Sequence, residues 1–202
     1  MSERLIDWEC AARPHPGEQV SGDRAFVTVD TTGVVAAAVD GLGHGPEAAH
    51  AADRALDVIQ AAGDADVARL VERCHAALAE TRGAALSVAA IEASDGALRW
   101  VGVGNVEGRI VRGSGRRRGR SEALLLTPGV VGHDLPPLRA ATASLERGDL
   151  LLIATDGIDP GYADDLEPSR SCRAIAREVI ERHARPSDDA LVVVIRYLGG
   201  ER

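Results

Sequence analysis

The sequence predicts an α+β layered fold. Two observations lead there: apolar runs of strand length follow one another in meander-like succession, and the helical stretches are grouped rather than alternating with them. A doubly wound parallel sheet would need strict alternation. At 202 residues the chain has the length for one domain, 1–202, with a real core, and no linker divides it. Hydrophobic residues make up 45% of the chain but aromatics only 2%, so Val, Leu, Ile and Ala must fill that core.

The strand-length runs are Ala25–Val29, Val34–Val39, Ala84–Ile91, Leu98–Val103, Arg109–Arg112, Ala123–Leu126, Leu150–Thr155 and Leu191–Tyr197. Between the second and third lie two helices, Pro46–Ala62 and Ala65–Glu80, where Pro46 suits a first helical turn and Gly63 a helix end. Leu56, Ile59, Val67, Leu70, Val71, Cys74 and Leu78 recur at helical spacing, so each helix should lay one face on a sheet. A third helix, Ser169–His183, shows the same spacing through Ile175, Val179 and Ile180 and stops before Pro186. The arginine-rich stretch Arg112–Arg120 reads as a solvated hairpin loop, with docking of an acidic or phosphorylated partner as the sharper alternative.

A formal net charge of −8 argues against a protein that binds nucleic acid through phosphate contacts. The first residues lack a signal-peptide pattern and no apolar run is long enough to span a bilayer, so a cytoplasmic protein with no membrane partner is expected. Three widely spaced cysteines, Cys10, Cys74 and Cys172, without a C-x-x-C pair, imply free thiols.

The stretch from Val39 to Ala49, VDGLGHGPEAA, joins an apolar run to a helix through glycines. It is not a phosphate-binding P-loop, because no Lys-Ser/Thr pair follows the glycines, and Pro46 occupies the last glycine position of a dinucleotide fingerprint. What stands out is Asp40, an ionisable group directly after six apolar residues. The same pattern recurs at Leu150–Gly157, where an apolar run delivers Asp156-Gly157. Two further acidic positions open strands: Asp23, and Asp188 with Asp189.

In an antiparallel sheet the end of one strand lies beside the start of its neighbour, so these aspartates can meet at one edge of the molecule. Ionised carboxylates gathered there repel one another and call for cations. Carboxylates with a backbone carbonyl and water favour Mg²⁺ or Mn²⁺ over zinc. A glycine after the aspartate leaves the Gly41 carbonyl free to turn toward such an ion.

SGD at Ser21–Asp23, VDGLGHG at Val39–Gly45, VGVGN at Val101–Asn105, ATDG at Ala154–Gly157 and SDDALVVV at Ser187–Val194 stand in the order found in a known family. The chain resembles the metal-dependent type 2C (PPM) protein serine/threonine phosphatases, in their SpoIIE-like bacterial branch. Glu72–Val88 and Val103–Val111 are most similar to the branch's short, single-domain stressosome members. The resemblance implies a four-layer α/β/β/α fold, an antiparallel β-sandwich flanked by helices.

It further implies that Asp40 bridges two metal ions, Mn²⁺ or Mg²⁺, that the Gly41 carbonyl binds one of them, and that Asp156 and Asp188 complete the pair. Asp23 joins directly or through water, and Asp189 supports from behind. Asp40 and Asp156 are then the catalytic carboxylates, and a water held between the ions attacks phosphorus without a protein nucleophile. The implied substrate is a phosphoserine or phosphothreonine on a STAS-domain or other anti-sigma pathway protein. The alternatives are a hydrolase of small phosphate esters and an inactive binding module of the same fold; retention of all four aspartates counts against the latter. The family's histidine directly after Asp-Gly is replaced by Leu42, so leaving-group protonation falls by default to metal-bound water; His44, two residues on, is the alternative donor but reads as a structural or helix-start residue, and Arg13 and Arg24 are candidates for phosphate contact that read rather as surface residues.

Overall fold

The computed structural model describes residues 4–62, 66–164 and 166–200. Among the described residues, ten strands and three α-helices follow in order as β1 (Ile6–Arg13), β2 (Asp23–Val29), β3 (Gly33–Gly41), α1 (Pro46–Ala61), α2 (Val67–Leu78), β4 (Ala84–Glu92), β5 (Ala97–Val103), β6 (Glu107–Val111), β7 (Ser121–Ala123), β8 (Ala141–Ser144), β9 (Leu150–Ala154), α3 (Cys172–His183) and β10 (Ala190–Tyr197).

They form two antiparallel sheets, in the orders β1-β10-β9-β6-β7 and β2-β3-β4-β5-β8. Ala36, Ala38, Ala89, Leu98 and Trp100 of the second sheet meet Ile110, Leu151, Ile153, Val193 and Ile195 of the first in a central core. Outside the second sheet, α1 and α2 bury Leu56, Ile59, Leu70, Val71 and Leu78 against Val39, Leu86 and Val101. Outside the first, α3 buries Ile175 and Val179 against Leu152, Val192 and Val194. The order of layers is therefore α/β/β/α, as expected.

Alanine explains how so aliphatic a core closes. Along β3, Ala37 is fully buried, as are Ala48, Ala51, Ala52 and Ala55 of α1, so helix and sheet approach closely with little side-chain bulk between them, while Ala36 and Ala38 are buried on the opposite face, between the two sheets. The indole of Trp100 fills the wider centre, donates from Nε1 to the Leu125 carbonyl at 3.0 Å, and lies over Gly108, where a Cβ would come within 2.3 Å of the ring.

Two strands escaped the sequence reading. Strand β1 carries Asp7, Glu9 and Arg13 among its apolar residues, and β8 is Ala-Thr-Ala-Ser; both are edge strands, where alternation is weak and charge is tolerated. The run Ala123–Leu126 is corrected to β7 at Ser121–Ala123, because Leu125 is largely exposed and Leu124 turns back to the Gly108 carbonyl. Helix α3 begins at Cys172, with Ser171 as its cap accepting from the Ala174 N–H. Asp66 caps α2, and the expected helix end at Gly63 and start at Ala65 lie outside the described residues.

The Arg112–Arg120 stretch does connect β6 to β7 as a hairpin loop. Arg112 itself is not a solvated loop residue: it pairs with Asp149 at 2.7 Å and Glu122 at 2.9 Å and anchors the base of the loop.

Candidate metal centre

Strand direction alone gathers the acidic residues. Strand β2 starts at Asp23, β3 ends on Asp40-Gly41, β9 runs into Asp156, and Asp188-Asp189 lead into β10. Asp23 and Asp40 are direct cross-strand partners, and Val192 pairs with Ala154, which brings the other two ends together. Asp40, Asp156 and Asp188 border one open cleft, shared with His15, Leu42 and Asn105. Asp23 lies deeper, 3% exposed, at the floor where the two sheets meet.

Asp23, Asp156, Asp188 and Asp189 each have a hydrogen-bond partner. Asn105 Nδ2 donates to Asp156 at 2.6 Å. Thr155 Oγ1 donates to Asp23 Oδ2 at 2.8 Å and itself accepts from the Leu191 N–H, so one hydroxyl ties β2 to the ends of β9 and β10. Asp189 Oδ1 accepts from the His15 N–H at 2.8 Å, while the Asp189 N–H donates to Asp188 at 2.9 Å. Asp189 thus braces its neighbour from behind.

The electrostatics favour a cation. Burial, then repulsion from Asp23, Asp156, Asp188 and Asp189, pushes Asp40 up to about 8. Burial, opposed by the Thr155 bond and aided by repulsion from Asp189, Asp156 and Asp188, pushes Asp23 up to about 7, and Asp188 is raised by burial and by Asp156. Asp23 Oδ1 and Asp189 Oδ2 are buried without a hydrogen-bond partner. A positive charge satisfies both conditions, and an all-oxygen set fits a hard divalent ion. As the side chains stand, no three His, Cys, Asp or Glu groups among the described residues enclose an ion by themselves; the aspartates ring an open cleft instead.

The two Asp-Gly glycines have a further cause that the sequence did not show. A Cβ on Gly41 would lie 2.0 Å from the Ala48 carbonyl oxygen, and one on Gly157 would lie 1.7 Å from that of Asp189. At both places two backbones cross in contact, setting α1 against β3 and the Asp188-Asp189 turn against Asp156. Gly157→Ala is therefore expected to displace that turn and weaken magnesium affinity by about 10–100-fold, the scale seen when support behind a ligand is lost; titration calorimetry measures it.

Asn105, Thr155 and His15 are the residues the sequence reading left without a role, although Asn105 and Thr155 stand inside the motifs VGVGN and ATDG. Arg24 is engaged by Asp53 and by the Ser21 and Asp23 carbonyls, while Arg13 bonds the Arg185 carbonyl through one terminal nitrogen and keeps a buried Nε without a partner. Burial raises the three thiols, Cys10 and Cys172 to about 11 and Cys74 to about 12, and all three are free, as expected.

Two sheets packed face to face, helices outside both and a carboxylate cluster across their shared edge define a PPM-type, metal-dependent phosphatase. Solved structures agree. RsbX in complex with magnesium superposes with a TM-score of 0.85 at 24% identity, covering 98% of each chain. A structure described in work on the bacterial stressosome as a modular system also gives 0.85, at 30% identity over 96% of this chain and 100% of the other.

The family model described as Stage II sporulation protein E (SpoIIE) matches residues 30–198, and the chain belongs to that family. The phosphoserine phosphatase RsbX of Bacillus subtilis (strain 168) is 27% identical over 179 residues, 88% of each protein. No helix among the described residues is long and apolar enough to cross a membrane.

Proposed function

We propose that this chain hydrolyses phosphoserine or phosphothreonine on a regulatory protein, acting as one domain in the cytoplasm. The observation that carries the reading is the convergence of Asp23, Asp40, Asp156 and Asp188 from both sheets, with burial and mutual repulsion raising the pKa values of Asp23, Asp40 and Asp188 and with buried oxygens of Asp23 and Asp189 unpartnered. Asp40, Asp156, Asp188 and the Gly41 carbonyl would hold two Mg²⁺ or Mn²⁺ ions, with Asp23 reaching them directly or through water. Bound there, such ions supply an activated water and neutralise charge developing on the phosphoryl group.

The chain's own part is positioning. Asn105 aims the Asp156 carboxylate, Thr155 fixes Asp23, and the His15–Asp189 bond holds the turn that carries Asp188. Gly41 is itself fixed by donating to the Gly22 carbonyl. The buried floor limits relaxation of these groups, so their geometry is in place before substrate arrives. The likeness to RsbX supports a phosphorylated STAS-domain or other anti-sigma pathway protein as substrate.

The test is phosphate release from a phosphorylated STAS-domain protein and from p-nitrophenyl phosphate, with Mn²⁺, with Mg²⁺ and with chelator. Metal-dependent release with strong preference for the phosphoprotein is expected. Preference for the small ester would make the chain a small-ester hydrolase, and inactivity under every metal condition would make it a binding module.

A further inference from the structure

His15 and His44 face each other on the wall of the cleft bordered by Asp40, Asp156 and Asp188, and neither imidazole ring is used by the positioning contacts around those aspartates. Their rings stack with centroids 4.5 Å apart and planes inclined by 13°. His44 projects from a tight turn between Gly43 and Gly45, whose φ values of 91° and 74° lie in the left-handed region. Its Nδ1 is 2.8 Å from the Glu18 carboxylate. That carboxylate lies flat on the turn, since a Cβ at Gly45 would come within 3.0 Å of it.

The His15 side is equally fixed. The His15 N–H is bound to Asp189, the Glu18 N–H donates to the His15 carbonyl at 3.0 Å, and His15 Nδ1 contacts the Pro16 carbonyl at 2.9 Å. With both Nδ1 atoms engaged, Nε2 of His44 is left without a hydrogen-bond partner among the described residues, on a side chain that is 56% exposed at the cleft mouth.

A carboxylate on one imidazole nitrogen, with the other open to a reaction cleft, is the arrangement that donates a proton in a defined direction. We propose that His44, oriented by Glu18 and backed by His15, is the general acid that protonates the leaving seryl or threonyl oxygen. This rests on the phosphatase reading above. A water oxygen forms the new bond to phosphorus and loses one proton to solvent. The electron pair of the breaking P–O bond departs with Oγ, which takes the proton from Nε2 of His44, giving a free hydroxyl and hydrogen phosphate. Solvent then reprotonates the imidazole. Leu42, beside the metal-side aspartate, has no proton to give, whereas His44 two residues later does.

The test separates a proton donor from a structural side chain by leaving group. A p-nitrophenolate departs without protonation, whereas phenolate and above all a seryl alkoxide need it. His44→Ala and His44→Asn should lose about 10²–10⁴-fold in kcat/KM on a phosphoserine peptide. The loss on p-nitrophenyl phosphate should be at least about tenfold smaller, with phenyl phosphate between. Glu18→Gln, a positioning change, should show the same ordering with a smaller loss. Magnesium affinity and melting temperature, measured alongside, should match wild type.

Equal losses on all three substrates, or no loss, would overturn the proposal while leaving the phosphatase reading intact. A wild-type protein that hydrolyses none of them with Mg²⁺ or Mn²⁺ would sink the phosphatase reading itself.

Discussion

Asp40→Asn is expected to cut metal-dependent phosphate release by at least about three orders of magnitude, the scale of several kcal/mol of transition-state stabilisation. The position is singular. Asp40 lies at the end of β3, pairs directly with Asp23, and opens onto the same cleft as Asp156 and Asp188. An amide there keeps the shape but removes the negative charge that would hold an ion between the others. Asp156→Asn should behave in the same way, because Asn105 would then face an amide in place of the carboxylate it aims.

Neither loss should come from unfolding. Without metal, Asp40 is a half-buried carboxylate among like charges, so removing its charge relieves repulsion and the metal-free variant should melt no lower than wild type. A variant that is inactive because it is unfolded, as shown by circular dichroism, would contradict this account. So would one that retains wild-type activity in magnesium.

The second large effect is the pH dependence of stability and its reversal by metal. Asp40 and Asp23 have folded-state pKa values of about 8 and about 7, above the ordinary 3.8. The folded state therefore binds more protons than the unfolded one between those values. The stability they contribute is complete below about pH 4 and is lost as pH rises through 7 and 8. Asp30, Glu122 and Glu178 act with the opposite sign, since their lowered pKa values make stability fall only at acid pH, below the usual carboxylate range.

From about pH 5 to 8 the aspartate cluster therefore dominates, and the melting temperature of the metal-free protein should fall steadily across that window. Magnesium or manganese at about 100 times its dissociation constant should restore about 2.7 kcal/mol, or roughly 5–10 °C in a chain of this size. The gain should be largest at pH 8, where the ligands no longer have to shed protons. Calorimetric scans with metal and with chelator measure both slopes. A metal-free melting temperature that is flat or rising from pH 5 to 8 would mean that the carboxylates are not crowded as described.

Much of this was legible in the sequence because it depends on local pattern. Apolar runs placed eight strands, one of them needing a shift, and the spacing of Leu56, Ile59, Leu70, Val71 and Val179 placed three helices with their buried faces. The edge strands β1 and β8 were not legible, because an edge position relaxes the alternation on which a strand is recognised.

At the site, the repeated Asp-Gly after an apolar strand singled out Asp40 and Asp156, and strand direction predicted that Asp23 and Asp188 would join them. For Arg24 and Arg13 the sequence offered candidates only, and the fold adds their partners, Asp53 and the Arg185 carbonyl. Asn105 and Thr155 sat in recognisable motifs, yet their roles depend on residues 51 and 132 positions away in the chain.

The sequence by itself determined the layers, the α/β/β/α order through a family resemblance, and the acidic residues that a metal would need. Periodicity and strand polarity are properties of neighbouring residues, so they survive in a linear reading. The tertiary structure decided the close backbone crossings at Gly41 and Gly157, the hydrogen bond from the His15 N–H to Asp189, and the pairing of Glu18 with His44 against His15. These join residues from separate elements at distances of a few ångströms. Only the packing of two sheets and their loops at one shared edge fixes which of them meet.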